Sequence, residues 1–269
     1  MTSFLRLTLL GITLTMVAQK ATAQTGFRIE TDIFAETQEQ PVVQTKTLFL
    51  DGVAYDESRD PGQDITMVDP AGDRVIRFNE ALKIQTVVPI SKLQEMLRLA
   101  SQKAQAGGWL AIFLAGAEQI EDKDDSITVG ASPLIYAATY APASKTENAA
   151  SFAIWYQQFA DALKLLDSFS HESSTPPFAR VVLNEAVAKK EAVPKKIVVT
   201  MQRGKRQSKL TCTVNATWLL SDDDRARIRQ IKSMLVNFRE VTAGEYQRLT
   251  SDAIAAPVRV AGGTPVGSK

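Results

Sequence analysis

The chain of 269 residues carries 31 basic and 30 acidic side chains, a net charge of +1, and 45% hydrophobic residues. This balance excludes a nucleic-acid binder that works by bulk charge, and it is ordinary for a globular chain. The only cysteine, Cys212, excludes an internal disulfide, so stability must rest on an apolar core, which this length can supply once or twice over.

Arg6 precedes an apolar run from Leu7 to Ala18, and Gln19, Lys20 and the triplet Ala21, Thr22, Ala23 follow it. One early cation, about a dozen apolar residues and a small-x-small end define a secretory signal peptide, cleaved after Ala23. The run is shorter than the roughly 20 residues of a spanning helix, so no transmembrane span is expected after cleavage. The expected address is periplasmic or extracellular. Arg6 and Lys20 leave with the signal, which lowers the basic count from 31 to 29 against 30 acids.

Phe27 to Phe34 alternates apolar and polar residues with the period of a half-buried strand, and residues 35–46 read as a polar connection. Asp51-Gly52 between two β-rich runs predicts a type I′ hairpin, because both central residues need positive φ. A loop at 57–63, strands at 64–69, 73–78 and 82–88, and a Pro70-Ala71-Gly72 turn complete an antiparallel meander.

Pro89-Ile90-Ser91 opens a helix with Ser91 and Gln94 as a capping box and Leu93, Met96, Leu97 and Ala100 on one face; Gly107-Gly108 stops it. Trp109 to Leu114 is an apolar run of ambiguous type, and the acidic stretch from Glu118 to Asp125 separates it from a strand pair at 126–130 and 134–140. A break at 141–146 is a sub-boundary. Phe152, Tyr156, Phe159, Leu163 and Leu166 stripe a helix from Glu147 to Phe169, and Pro176-Pro177 position a third helix from Phe178. A hairpin follows Pro194, turning at "RGKR" (203–206), with Leu210, Cys212, Val214, Ala216, Trp218 and Leu220 alternating on its second arm. Ser221 caps a fourth helix with Asp222, Asp223 and Asp224 at its positive end, and Thr242 and Glu245 box a short last one. Residues 24–250 thus form one exported α+β domain, an antiparallel meander or half-barrel-like sheet with about four packed helices, and residues 251–269 a disordered tail.

Asp56, Ser58, Asp60 and Asp64 have the alternate spacing of a calcium loop, but Pro61 takes the place of its glycine and Met67 that of its bidentate Glu. Turn chemistry accounts for these acids, since Asp side chains accept hydrogen bonds from nearby amides. Asp56, Asp60 and Asp64 remain as the metal candidates only because they share a loop; no metal or other cofactor is expected. His171 reads as an exposed cap past a helix end, with no G-x-S-x-G elbow and no H-E-x-x-H beside it. Cys212 reads as an inert core residue, Phe152, Trp155, Tyr156 and Phe159 as core aromatics. Lys195, Lys196, Arg203, Lys205, Arg206 and Lys209 read as charges that keep a sheet edge soluble, without nucleic acid as partner. No catalytic residue is expected; the enzymatic alternative is a carboxylate-based hydrolase assembled from sequence-distant acids.

Three segments, "LFLDGVAYD" with "VDPAGDRVIRF", "PPFARVVLNEAV" followed by Pro194, and "SDDDRARI" followed by "FREVTAGEY", resemble a family of uncharacterised exported bacterial proteins over roughly residues 27–250. That family brings no activity with it. A meander followed by a helix also resembles, in architecture only, the exported half-barrels of the lipoprotein-carrier type. This second resemblance implies a non-catalytic envelope domain that binds or carries an apolar ligand; the alternative is a structural or protein-interaction component of the envelope.

Overall fold

The computed structural model describes residues 25–255, apart from 37, 61–62, 145–146 and 171–174. The expected signal peptide, Pro61, His171 and the tail beyond residue 255 lie outside the described residues.

The chain is α+β. In order it forms β1 (Gly26–Ala35), β2 (Val43–Leu50), β3 (Val53–Ser58), β4 (Ile65–Asp69), β5 (Arg74–Asn79), β6 (Ile84–Pro89), α1 (Ile90–Gln105), α2 (Trp109–Ala117), β7 (Ile120–Lys123), β8 (Ser126–Ala131) and β9 (Leu134–Pro142). Then come α3 (Ala149–Ser170), α4 (Phe178–Ala188), β10 (Ala192–Arg203), β11 (Arg206–Thr217), α5 (Asp222–Asn237), β12 (Arg239–Glu240) and α6 (Ala243–Ala255). All twelve strands join one open sheet in the order β12-β6-β5-β4-β3-β2-β1-β11-β10-β9-β8-β7. Only β12 on β6 is parallel. The sheet has two free edges and does not close into a barrel.

The meander β2 to β6 forms from its turns. Asp51 and Gly52 adopt φ of 51° and 84°, the conformation a type I′ turn demands. At the next hairpin Asp69 accepts from the Gly72 amide at 3.0 Å and from Arg74 Nε at 2.9 Å. The polar connection is shorter than expected, because β2 begins at Val43 and Val43 pairs with Ile33. The N-terminal half of the sheet then docks against the C-terminal hairpin through β1 and β11, with Ile29 opposite Ala216 and Ile33 opposite Cys212. Strands from both sides of residues 141–146 therefore share a single sheet: β9 runs on to Pro142, which pairs with Ala192 of β10.

Six helices are described instead of about four. The apolar run at Trp109 is helix α2, entered through Gly107 and Gly108 with φ of 106° and 85°. No side-chain capping box opens α1; the Ser91 amide and hydroxyl both donate to the Asp73 carboxylate, at 2.7 and 2.6 Å, so the cap comes from the β5 hairpin. The expected Ser221 cap is present and is completed by Asp224 into a capping box, with Asp224 N donating to Ser221 Oγ at 3.1 Å and Ser221 N to Asp224 Oδ2 at 3.0 Å. α6 carries regular structure four residues past the expected start of the tail.

One face of the sheet is covered by α1 to α4. Phe27, Phe49, Phe152, Phe159 and Val214 form the core under α3, and Ile127, Val129, Tyr136, Leu183 and Ile197 the core under α4. The other face is covered along the meander by α5, whose Ile228, Ile231 and Met234 pack on Leu48, Leu50, Met67 and Phe78. Because β2 is covered on both faces, Thr47 to Leu50 are all buried and its alternation disappears. The acidic stretch after α2 contributes β7, a short edge strand with all four residues exposed, which suits an edge that must not recruit further strands. The six cations of the β10–β11 hairpin are also exposed, but this hairpin lies between β9 and β1, so they guard no edge.

Candidate functional site

Along β1 and β2 the side chains facing α3 change from large to small. Phe27 opposes Phe49, with rings stacked at 4.2 Å, and Phe152 and Phe159 of α3 rest on this pair. Further along the same face come Thr31, opposite Thr45, and Thr47, opposite Asp56 of β3. The aromatic pair props the helix off the sheet, and the threonines leave the gap unfilled. The result is a cavity of about 330 Å³ between sheet and helices. Its floor crosses six adjacent strands, from Asp56 on β3 to Tyr136 on β9, and Tyr156, Phe159, Leu163 and Lys164 of α3 form its roof. Ile33, Ile197, Val199, Leu210 and Cys212 make its wall largely apolar, and Arg180 of α4 lines it beside Tyr156.

Asp56 accepts from Thr47 Oγ1 at 2.7 Å. Burial pushes its carboxyl up to about 6, against the pull of the Thr47 and Thr45 hydroxyls. Asp161, one turn before Leu165 on α3, is likewise raised to about 6 by burial, although Asn184 Nδ2 donates to it at 2.7 Å. Burial lowers the Lys164 amine, which donates to Thr175 Oγ1 at 2.9 Å and Asp167 Oδ2 at 3.4 Å. Burial raises the Tyr156 hydroxyl to about 12, a shift that neighbouring Arg180 opposes, and it raises the Cys212 thiol, which is therefore a protonated wall group. The site can thus hold an apolar body against fixed polar groups at its ends.

A larger cavity of about 650 Å³ lies where α6 and the end of α3 meet β5, β6 and the residues leading into β4. Its charges satisfy each other: Arg77 pairs with Asp64, Asn79 donates to Asp64 at 3.0 Å, and the Arg77 guanidinium lies 5.2 Å from the Tyr246 ring centre. The Thr86 and Tyr246 hydroxyls are buried there without a partner of good geometry, and burial, then the Asp64 carboxylate, push Tyr246 above the usual tyrosine range. We place the candidate site in the smaller cavity, which joins an apolar wall to ionisable groups that form no ion pair with each other among the described residues.

Of the three sequence candidates, only Asp56 reaches that cavity. Asp60 sits in an exposed turn, its amide donating to Ser58 Oγ at 3.1 Å, and Asp64 belongs to the Arg77 pair. No group of three or more His, Cys, Asp or Glu among the described residues could hold a metal ion. Phe152 and Trp155 are core, whereas Tyr156 and Phe159 serve both core and cavity. Sequence reasoning missed Lys164, Arg180 and Tyr136. Arg180 had a signal: it is the lone cation in the apolar opening of α4, between buried Ala179 and partly buried Val181.

No family model matches the chain, and no curated protein matches it. Among solved structures it is similar to one described as "Structure of PNGF-II in P21 space group", with a TM-score of 0.38, 9% identity, and coverage of 85% of this chain and 34% of that one. The chain thus spans about a third of the length of that structure. No helix among the described residues is long and apolar enough to cross a membrane.

Proposed function

We propose that this protein is an exported, non-catalytic binding or carrier domain of the cell envelope, a relative of the exported bacterial proteins its segments resemble, and that it holds an apolar ligand under α3. The observation that carries the reading is the cavity of about 330 Å³, within the usual size range of small-molecule sites. The half-barrel analogy supports it in one respect, since helices pack on one face of an antiparallel sheet and the space lies between the two layers. A second reading, an interaction component, draws on Leu99, Trp109 and Ile112 of α1 and α2, which are 50%, 63% and 57% exposed.

Native mass spectrometry on protein purified from the exported fraction tests the first reading. Retained mass that disappears when Leu163 is replaced by Trp, which fills the cavity, is the expected result. A clean apoprotein that also takes up no amphiphile on titration refutes it.

A further inference from the structure

We infer that the cavity under α3 receives an amphiphile with an anionic head, seated at Arg180 and Lys164, with its apolar chain along Ile33, Ile197, Val199 and Leu210. The inference rests on the binding reading above and names the chemistry of its ligand.

Two cations, Lys164 and Arg180, border a wall that apart from Asp56 is apolar or hydroxylic. Charges taken from water are costly unless they are paired. Lys164 has one carboxylate, Asp167, at 3.4 Å, whose side chain is 52% exposed and held only loosely. Among the described residues, no carboxylate stands within ion-pair distance of Arg180. Its field reaches Asp161, but that acid takes its hydrogen bonds from Asn184 and Gln157, at 2.7 and 3.5 Å, and not from the guanidinium. The Arg180 fork therefore faces the cavity with the Tyr156 hydroxyl as its neighbour. A guanidinium presents paired donors that match a carboxylate or phosphate edge, which makes an anionic head the complementary occupant.

Among the described residues Asp56 is the only acid on the cavity wall, and it does not neutralise this end. Among the described residues, the groups acting on it are Thr47, Thr45 and Glu57, none of them a cation. It stands on β3 while Arg180 acts on Cys212 of β11, and three strand spacings, roughly 14 Å, separate those strands. The slot is thus polar-ended, cationic toward α4 and acidic toward β3, with an apolar and threonine floor between. At about 30 Å³ for each water-sized group, its volume of about 330 Å³ accepts on the order of ten such groups, the size of a medium-length acyl chain.

The test is calorimetric titration of the full protein at pH 8 with decanoate, decanol and decylammonium, each below its aggregation limit. Decanoate is expected to bind more tightly than decanol by about tenfold or more, the worth of charge-assisted hydrogen bonds. In Arg180→Gln the ratio of decanoate to decanol affinity is expected to collapse towards one. Equal affinities in the unaltered protein, tighter binding of decylammonium, or an unchanged ratio in Arg180→Gln overturn the anionic head while leaving the carrier reading intact. If none of the three binds, the carrier reading falls with it. Should Arg180→Gln not fold, Lys164→Gln supplies the second ratio, and the three-ligand comparison on the unaltered protein decides in any case.

Discussion

Asp56 is a burden on the fold whenever it is ionised, and Asp56→Asn measures the burden. Burial raises its carboxyl from an ordinary 3.8 to about 6. A raised acid favours the protonated folded form. Its penalty is therefore absent below pH 3.8, grows as the unfolded chain ionises, and is complete above about pH 6. At about 1.36 kcal/mol per pH unit the full penalty is about 3 kcal/mol; it is about 2.5 kcal/mol at pH 6 and about 0.5 kcal/mol at pH 4. Asparagine keeps an Oδ1 acceptor for the Thr47 hydroxyl, now at 2.7 Å, and has no charge to desolvate. Urea unfolding of both proteins from pH 4 to pH 8 is the assay. The midpoint difference isolates Asp56, because Asp161, also raised to about 6, is present in both chains and cancels. Asp56→Asn is expected to be more stable by up to about 3 kcal/mol at pH 8, with the gain vanishing towards pH 4, and by roughly 6 to 12 °C in Tm at neutral pH. A difference that does not change with pH, or a variant less stable at pH 8, refutes the reasoning.

Ser221→Ala removes the hydroxyl that accepts from Asp224 N at 3.1 Å and should cost about 1 kcal/mol, read as a lower urea midpoint with unchanged slope. Phe49→Ala empties the stack on Phe27 and the edge contact with Phe159, and thermal unfolding should register about 3 to 5 kcal/mol lost. Tyr246→Phe deletes a buried hydroxyl that has no partner of good geometry, so stability should hold within about 1 kcal/mol or improve, in contrast to an ordinary buried tyrosine. The Asp73 carboxyl is held below its usual range by Ser91, so the start of α1 should be protected at neutral pH and lose protection as pH falls below 4, followed by amide hydrogen exchange at Ser91.

The elements legible in the sequence are those whose causes are local. Asp51-Gly52 dictates its hairpin by backbone conformation alone, Ser221 and Asp224 box a helix within four residues, and the Phe152-Tyr156-Phe159 stripe needs only a helical period. The misreadings share a nonlocal cause. Ser91 has the local pattern of a capping box, yet Asp73, 18 residues earlier, takes both its groups. The run at Trp109 has no clear period because α2 buries only Gly116 and Ala117, and the acids after it become a strand because β8 offers an edge. The site lies further still from local rules. Asp56 and Arg180 border one cavity only because the β10–β11 hairpin inserts beside β1, a pairing such as Arg28 with Thr217 that no short-range signal specifies.

The acids at the turns and helix starts differ from Asp56 in what they do for the fold. Asp69, Asp73 and Asp224 accept from backbone amides at turns and helix starts, and Asp64 is paired with Arg77, so each is used by the structure around it. Asp56 occupies the centre of a strand pair, where a β-branched or aromatic residue would pack better, and burial opposes its charge. Thr31, Thr45 and Thr47 beside it withhold the bulk that would close the space beneath α3. A chain shaped for stability alone would fill that space with leucine and place no ionisable groups on its walls. Asp56, Lys164 and Arg180 each work against such packing, and they meet at a single cavity. These departures from good packing converge on the cavity from which the proposed binding function is argued.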